Sequence, residues 1–386
     1  MSLRFLRSLL LMTGILLAGA AIAPREAQAQ SDILLRLRSG SPAGDRFRVD
    51  SAGGVVAIGE LGIGIIPASG AGYRMMWHPF KAAFRAGGTD DGGAGTYWDD
   101  ANVGFYSWAG GNRTIAKLFG SFAFGDQAKA TGQEAVAFGS STEALGTIAF
   151  VMGASSKACG FGSVVMGYTN TAGSIDGSGN CVAGNGQGAV AIGYRVTADC
   201  DYCVAIGHRA SANGHDGAFV IADQSTTDSV EASANNQFSS RYAGGYRFYT
   251  NATTTLGVKL DPNATSFTVI SDRNAKENFR SVSNEDILRK IKAIPVSIYN
   301  YRDDPDKTPH IGPMAQDFQK AFPLRTDDKS INMSDLDGVN LAGVRALEAR
   351  TSEMKKQFAD ELKAKDARIS DLEARIARLE ALLEKK

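Results

Sequence analysis

The middle of the chain is written in short apolar runs that close on glycine. "EAVAFG", "TIAFVMG", "GSVVMG", "GAVAIG" and "YCVAIG" set small residues beside Val, Ile, Phe or Met and then stop. Runs this short, and this often broken by glycine, predict strands closed by turns rather than helices. The breaks keep time. Gly125, Gly132, Gly139, Gly146, Gly153, Gly160 and Gly167 fall seven apart, and the beat returns at Gly186, Gly193, Cys200, Gly207 and Gly214. Between the two series lies a Gly/Ser/Asn-rich insertion, "TAGSIDGSGNCVAGN". A fixed beat marks a solenoid, whose coils bury apolar residues only by stacking on their neighbours. Two beats make one coil of two strands and two turns. Alanine suits the positions between because a narrow roll has little room.

The flanks follow other patterns. Residues 30–118 read as β-rich and turn-rich, with "YRMMWHPFKAAFRAG" and "VGFYSWAGG" supplying aromatic side chains for a packed lead-in. Residues 224–270 read as strands forming a neck. After Ser271 the periodicity turns helical. "NEDILRKIKAIPVSIYNYR" predicts a helix broken at Pro295 and then a strand, and "HIGPMAQDFQKAFP" a Gly-Pro turn leading into an amphipathic helix. "GVNLAGVRALEARTSEMKKQF" opens a long helix. Leu362, Ile369, Ile376 and Leu383 recur every seven residues, and Leu372 and Leu379 complete an a/d seam under dense charge. Phe358 and Lys365 weaken the seam at its earlier d positions. A short coiled coil is expected, dimer or trimer.

Charge and composition narrow the partners. The 41 basic and 41 acidic residues balance, so no global field favours nucleic acid or an anionic membrane. The 44 glycines are well above the usual share and follow no collagen-like triplet; eleven of them mark the beat. At the N-terminus Arg4 and Arg7 precede an apolar run from Leu9 to Ala23. Ala27-Gln28-Ala29 then offers a small-x-small cleavage site. A signal peptide of residues 1–29 is expected, cut between Ala29 and Gln30, with no membrane span after its removal.

Chemistry-bearing residues are few. Cys159, Cys181, Cys200 and Cys203 suit an oxidising compartment and two disulfides, with three connectivities open. Cys200-x-x-Cys203 lacks a second ligand pair, and His208 and His215 read as turn residues, so neither a metal nor a cofactor is expected. Asp90 and Asp91, and Asp99 and Asp100, are the clearest carboxylate pairs, and both look like turns. "VISDRNAKEN" places Ser271 and Lys276 five residues apart where the Gly/Ala-rich chain becomes charged. A serine hydroxyl becomes a nucleophile when a base takes its proton, and lysine does so only as the free amine. Burial, or a neighbouring cation such as Arg273, would favour that form. Residues five apart do not share a helix face, so the pair must meet across a turn or across subunits.

Two resemblances join these observations. The repeat, in outline "AxAxGxxSxAxGxx" over residues 119–223, resembles the left-handed β-roll head of trimeric autotransporter adhesins. That resemblance implies three rolls packed side by side in a homotrimer, with a host-surface or glycan ligand. The family ends in a membrane β-barrel, and nothing in the C-terminal part alternates like a barrel strand, so surface attachment is not implied. "SDRNAKEN", "PVSIYNYR", "HIGPMAQDF" and a terminal helix, over about residues 271–350, resemble the intramolecular chaperone of phage endosialidase tailspikes, a self-cleaving serine peptidase family. That family trimerises, templates the fibre ahead of it and then cuts itself off. Its nucleophile and base fall on Ser271 and Lys276, with the scissile bond Ile270–Ser271. His310 and Gln316 match supporting positions. Because Ser271 follows its own scissile bond, attack would give an ester by an N-to-O shift, which water then hydrolyses.

The expected fold is mainly β: a left-handed parallel β-roll solenoid, then a small α+β domain and a coiled-coil helix. The expected divisions are 1–29 signal, 30–118 N-terminal head region, 119–223 roll, 224–270 neck, 271–344 chaperone and autopeptidase, and 345–386 coiled coil. The expected function is that of an exported, secreted or cell-surface, trimeric adhesin-like fibre with a self-removing chaperone. Two alternatives stand beside it. One is a phage or prophage tail fibre, which the export signal opposes. The other is a glycan-degrading enzyme on a trimeric stalk, for which the Asp pairs are the clearest candidates in the head.

Overall fold

A computed structural model describes residues 33–39, 44–90 and 95–384. The signal segment with its Ala29–Gln30 junction lies outside the described residues, as does Asp91. The chain divides after Gly244 into two compact units.

In the first unit the predicted strands stack as a parallel β-roll. The longer strand of each coil joins one sheet. It runs from Trp108–Asn112 through Phe122–Asp126, Val136–Ser140, Phe150–Ala154, Val164–Tyr168, Val190–Tyr194, Val204–His208 and Phe219–Ala222 to Phe238–Arg241. Two-residue strands, from Ile115–Ala116 to Val230–Glu231, form a second sheet. Register is kept from coil to coil: Val136 faces Phe122 and Phe150, and Gly139 faces Gly125 and Gly153. Like therefore stacks on like, and the core is a set of columns. Ala109, Ala123, Ala137, Val151, Val165, Ala191, Ala205 and Val220 form one, and none is more than 3% exposed. Ala116, Ala130, Ala144, Ala158, Ala172 and Ala198 form the facing one, each fully buried.

The glycine beat resolves into two columns with two different demands. Gly139 has a φ of +124°, and a Cβ there would lie 1.9 Å from the Gly153 carbonyl oxygen. Gly132 has no such φ, yet its Cβ would still meet the Gly146 oxygen at 1.9 Å. The first position needs glycine for backbone conformation and space, the second for space alone.

The ladder runs past residues 119–223 at both ends. Upstream, the antiparallel hairpin of Tyr73–His78 and Ala83–Gly88 joins the sheet, its second strand parallel to Trp108–Asn112. Arg85 lies opposite Ala109 in the alanine column and is fully buried. Its guanidinium donates to the carbonyls of Phe84, Ser107 and Ala116 and to Ser107 Oγ. Burial lowers its pKa to about 10. Trp98, also fully buried, donates from Nε1 to the Thr114 carbonyl at 2.9 Å. Downstream, Ala222 takes the glycine place beside Gly207. A longer excursion there precedes Phe238–Arg241, so the strict beat is lost before the ladder ends.

Two disulfides, Cys159–Cys181 and Cys200–Cys203, select one of the three open connectivities. The first ties the insertion to the coil before it, where Lys157 Nζ also donates to the Gly179 carbonyl at 2.6 Å. Both sulfurs of the second lie in the alanine core. His208 stacks on Tyr194 with ring centroids 5.2 Å apart, and His215 bonds Asn235. Among the described residues no group of side chains is arranged to hold a metal ion. The outward positions of the longer strands remain apolar, with Phe124, Phe138 and Met152 exposed in one line.

The second unit is built differently. Tyr246–Tyr249, Gly257–Leu260 and Thr268–Val269 form an antiparallel sheet. Helix α1 (Asn284–Ala293) follows, with Ser283 as its N-cap. The strands Ser297–Tyr299 and His310–Gly312 then form a two-stranded antiparallel sheet. Helix α2 (Ala315–Ala321) and helix α3 (Met333–Leu383) complete the unit. Ile287, Phe318, Phe322 and Val339 form its core, with Ile291, Ile294 and Leu336 packed against them. Arg350 of α3 pairs with Glu285 of α1. Helix α3 runs without a break through residue 344, so the chaperone segment and the predicted seam share one helix. From Leu362 to Leu383 every seam residue is exposed. No described helix is long and apolar enough to cross a membrane.

Candidate functional site

The candidate site begins where the neck sheet ends. Gly257 has a φ of +151°, and a Cβ there would lie 2.0 Å from the Phe248 carbonyl oxygen, so only glycine lets these strands close. Its carbonyl accepts the Ile270 N–H at 3.2 Å, which fixes the residue on the upstream side of the expected scissile bond. Ser271 follows directly, outside the sheet and exposed.

The next residues fold back in a single turn of 3-10 helix, Arg273–Ala275. Asp272 is its N-cap, accepting from the Asn274 N–H at 2.9 Å. The turn closes when the Lys276 N–H donates to the Arg273 carbonyl at 3.1 Å. Lys276 is thereby returned beside the start of the segment, with Nζ 2.5 Å from Ser271 Oγ. Of the two routes the spacing allowed, the contact here is across a turn of one chain. Arg273 is directed elsewhere, with its guanidinium 5.4 Å over the Phe279 ring.

The supporting candidates stand apart from this pair. His310 packs its ring against Tyr299 and Tyr301, with centroids 5.8 and 5.3 Å away. Gln316 is exposed near the start of α2. Among the described residues neither shares a hydrogen bond with Ser271 or Lys276. The hydrogen bond between Tyr301 and Tyr299 raises the Tyr299 phenol above its ordinary range.

Of the candidate carboxylates of the first unit, Asp99 and Asp100 are engaged in structure. Asp99 Oδ1 accepts the Gly70 N–H at 2.6 Å. Asp100 accepts from His78 Nε2 at 3.1 Å and lies 3.0 Å from Lys81 Nζ. Those contacts, the His78 hydrogen bond first, hold Asp100 below the usual carboxylate range. A glycosidase's general acid needs the opposite shift. Asp90 lines an open surface hollow with Tyr73, Arg74 and Asn112.

Two elements of the candidate site escaped the sequence reading: the Asp272 cap and the Gly257 clamp. Asp272 was legible in principle, because Asp-x-Asn is an Asx-turn signal that also caps helical turns. Gly257 carried no signal of its own, since its demand arises from the Phe248 carbonyl across the antiparallel pair.

Fold and site together describe a β-roll head followed by a small α+β unit carrying a serine–lysine contact. Comparison with family models gives each part a likeness. Residues 271–324 match the model described as chaperone of endosialidase, and residues 119–142 match the YadA head domain repeat in two copies. The chain thus joins an adhesin-head-like repeat to a tail-fibre-chaperone-like segment. The same fourteen-residue register extends well beyond the two matched copies, from Trp108 to His208 apart from the insertion. No curated protein matches the chain.

Proposed function

We propose that this is an exported, trimeric, adhesin-like fibre whose C-terminal segment templates trimer folding and then releases itself at Ile270–Ser271. The observation that carries the reading is the 2.5 Å approach of Lys276 Nζ to Ser271 Oγ inside a chaperone-like segment. As the free amine, Lys276 takes the Ser271 hydroxyl proton while Oγ attacks the Ile270 carbonyl carbon. Collapse of the tetrahedral intermediate breaks the Ile270–Ser271 C–N bond, and the departing nitrogen gains a proton. An ester then links Ile270 to Ser271 Oγ. Water hydrolyses it to the Ile270 carboxylate and a free Ser271 hydroxyl.

Two unpartnered surfaces support the trimer: the apolar line of Phe124, Phe138 and Met152 on the roll, and the seam of α3. Soluble monomers seldom leave faces like these uncovered. Three chains around one axis would cover both. A template that aligns three chains raises their effective concentration before slow, non-local pairing begins. The head would face a host-surface or glycan ligand outside the cell.

Denaturing gels and intact mass of the secreted protein test the chemistry. Wild-type chain should yield a fragment beginning at Ser271, while Ser271→Ala and Lys276→Ala should remain full length. The same two fragments from both variants would remove the dyad. Light scattering of the cleaved 30–270 product should give three chains, and a mass near one chain would overturn the fibre.

A further inference from the structure

We propose that Asp272 is the positioning residue of the cleavage site, acting through the turn that delivers Lys276 to Ser271. The inference rests on the serine–lysine reading above and adds a residue that reading does not use.

Both members of the pair are exposed. A free lysine side chain samples many rotamers, and holding it in one costs conformational entropy. No packing around the pair supplies that restraint, so their meeting depends on the backbone from Asp272 to Ala275. Four hydrogen bonds organise this segment. Asp272 Oδ1 accepts from the Asn274 N–H at 2.9 Å and from Asn274 Nδ2 at 3.1 Å. The Asp272 carbonyl accepts the Ala275 N–H at 3.2 Å, and the Arg273 carbonyl accepts the Lys276 N–H at 3.1 Å. Three of the four end on Asp272, two of them on its side chain.

The carboxylate is therefore committed to the turn. An alternative role would be electrostatic, with the negative charge acting on Lys276 or on the developing intermediate. Chemistry separates the two. Asparagine keeps the accepting Oδ1 and caps turns about as well as aspartate, while it removes the charge. A positioning role survives Asp272→Asn, and an electrostatic role does not.

The test uses the full chain, following release of the fragment that begins at Ser271. Asp272→Ala should slow cleavage roughly five- to tenfold, the size of effect that loss of such a cap produces. Asp272→Asn should cleave within about twofold of wild type, too small a change for a lost catalytic charge, which moves rates about a hundredfold or more. The midpoint of the rate–pH profile should stay where it is in both variants, only the plateau falling in Asp272→Ala. An alanine variant as fast as wild type would overturn the inference, as would an asparagine variant as slow as alanine, or a shifted midpoint. Ser271→Ala run in parallel keeps the two readings apart. If it still releases the fragment, the dyad itself is wrong; if it does not, the Asp272 outcomes judge Asp272 alone.

Discussion

The two units bury apolar surface in opposite ways. The roll has scarcely a large side chain inside and fills itself with columns of alanine and valine, each coil supporting the next. The C-terminal unit gathers four large residues, Ile287, Phe318, Phe322 and Val339, at one point and leaves the remaining length of α3 bare. In the roll, precision of backbone approach sets stability. In the C-terminal unit a few side chains set it, and the rest of α3 lies exposed. Substitutions should therefore fail for different reasons in the two places.

Two glycines draw that contrast most sharply. Gly139→Ala places a methyl 1.9 Å from the Gly153 carbonyl oxygen at a φ of +124°. The left-handed backbone alone costs about 1–2 kcal/mol for an L-residue. The carbonyl belongs to a ladder that cannot move without shifting every coil beyond it. Gly343→Ala in α3 meets only the end of the Ile291 side chain, at 2.6 Å. Alanine also recovers about 1 kcal/mol of helix propensity there. Gly139→Ala should abolish soluble, folded roll, while Gly343→Ala should leave the melting temperature within a few degrees of wild type. A folded Gly139→Ala protein of normal stability would break the contrast at its strongest point.

The next effect belongs to the C-terminal core. Phe318→Ala should cost about 3–5 kcal/mol, the usual range for emptying a buried aromatic site. With three other large residues left, α2 and the start of α3 should lose their docking. Hydrogen exchange should rise across residues 315–342 and remain unchanged in the roll. A uniform rise through both units would show them to be one cooperative whole.

How much of this was legible in the sequence follows from the same contrast. The roll was readable because each coil repeats one demand, so Gly125, Gly139 and Gly153 announce a shared column. Its ends were not. Ala222 takes a glycine place and coil length varies there, and Arg85 stands where a repeat would put alanine. A charged residue in a core column is invisible to pattern until the carbonyls that receive it are known. In the C-terminal unit the helices showed through their periodicity. Ser271 and Lys276 stood out only through resemblance, because five-residue spacing carries no meaning until Asp272 bends the chain between them.

The smallest predicted effect concerns acid. Asp223 near the end of the roll is held down to about pKa 2, first by the Ala243 N–H and then by Ser225 and Arg241. Its ordinary value is 3.8. A depressed folded-state pKa contributes stability that is complete above the ordinary value and is lost as pH falls toward the folded one. The terminal coil, residues 223–243, should therefore loosen as pH falls from about 4 to about 2, as the unfolded chain takes up the proton first. Asp286 in α1 is also depressed, first by Lys290 and then by Arg289, so its contribution follows the same direction. The causes differ in kind. Asp286 depends on side-chain cations, the half-buried Lys290 over the Phe322 ring and the exposed Arg289, whose charges salt screens, whereas Asp223 is held first by a backbone amide. Raising salt to about 0.5 M should weaken the α1 response and leave that of the terminal coil in place. The check is the Ala243 amide exchange rate against pH at low and high salt, with Asp223→Asn as control. If salt weakens the response at Ala243 as much as at α1, then Asp223 is only another surface ion pair.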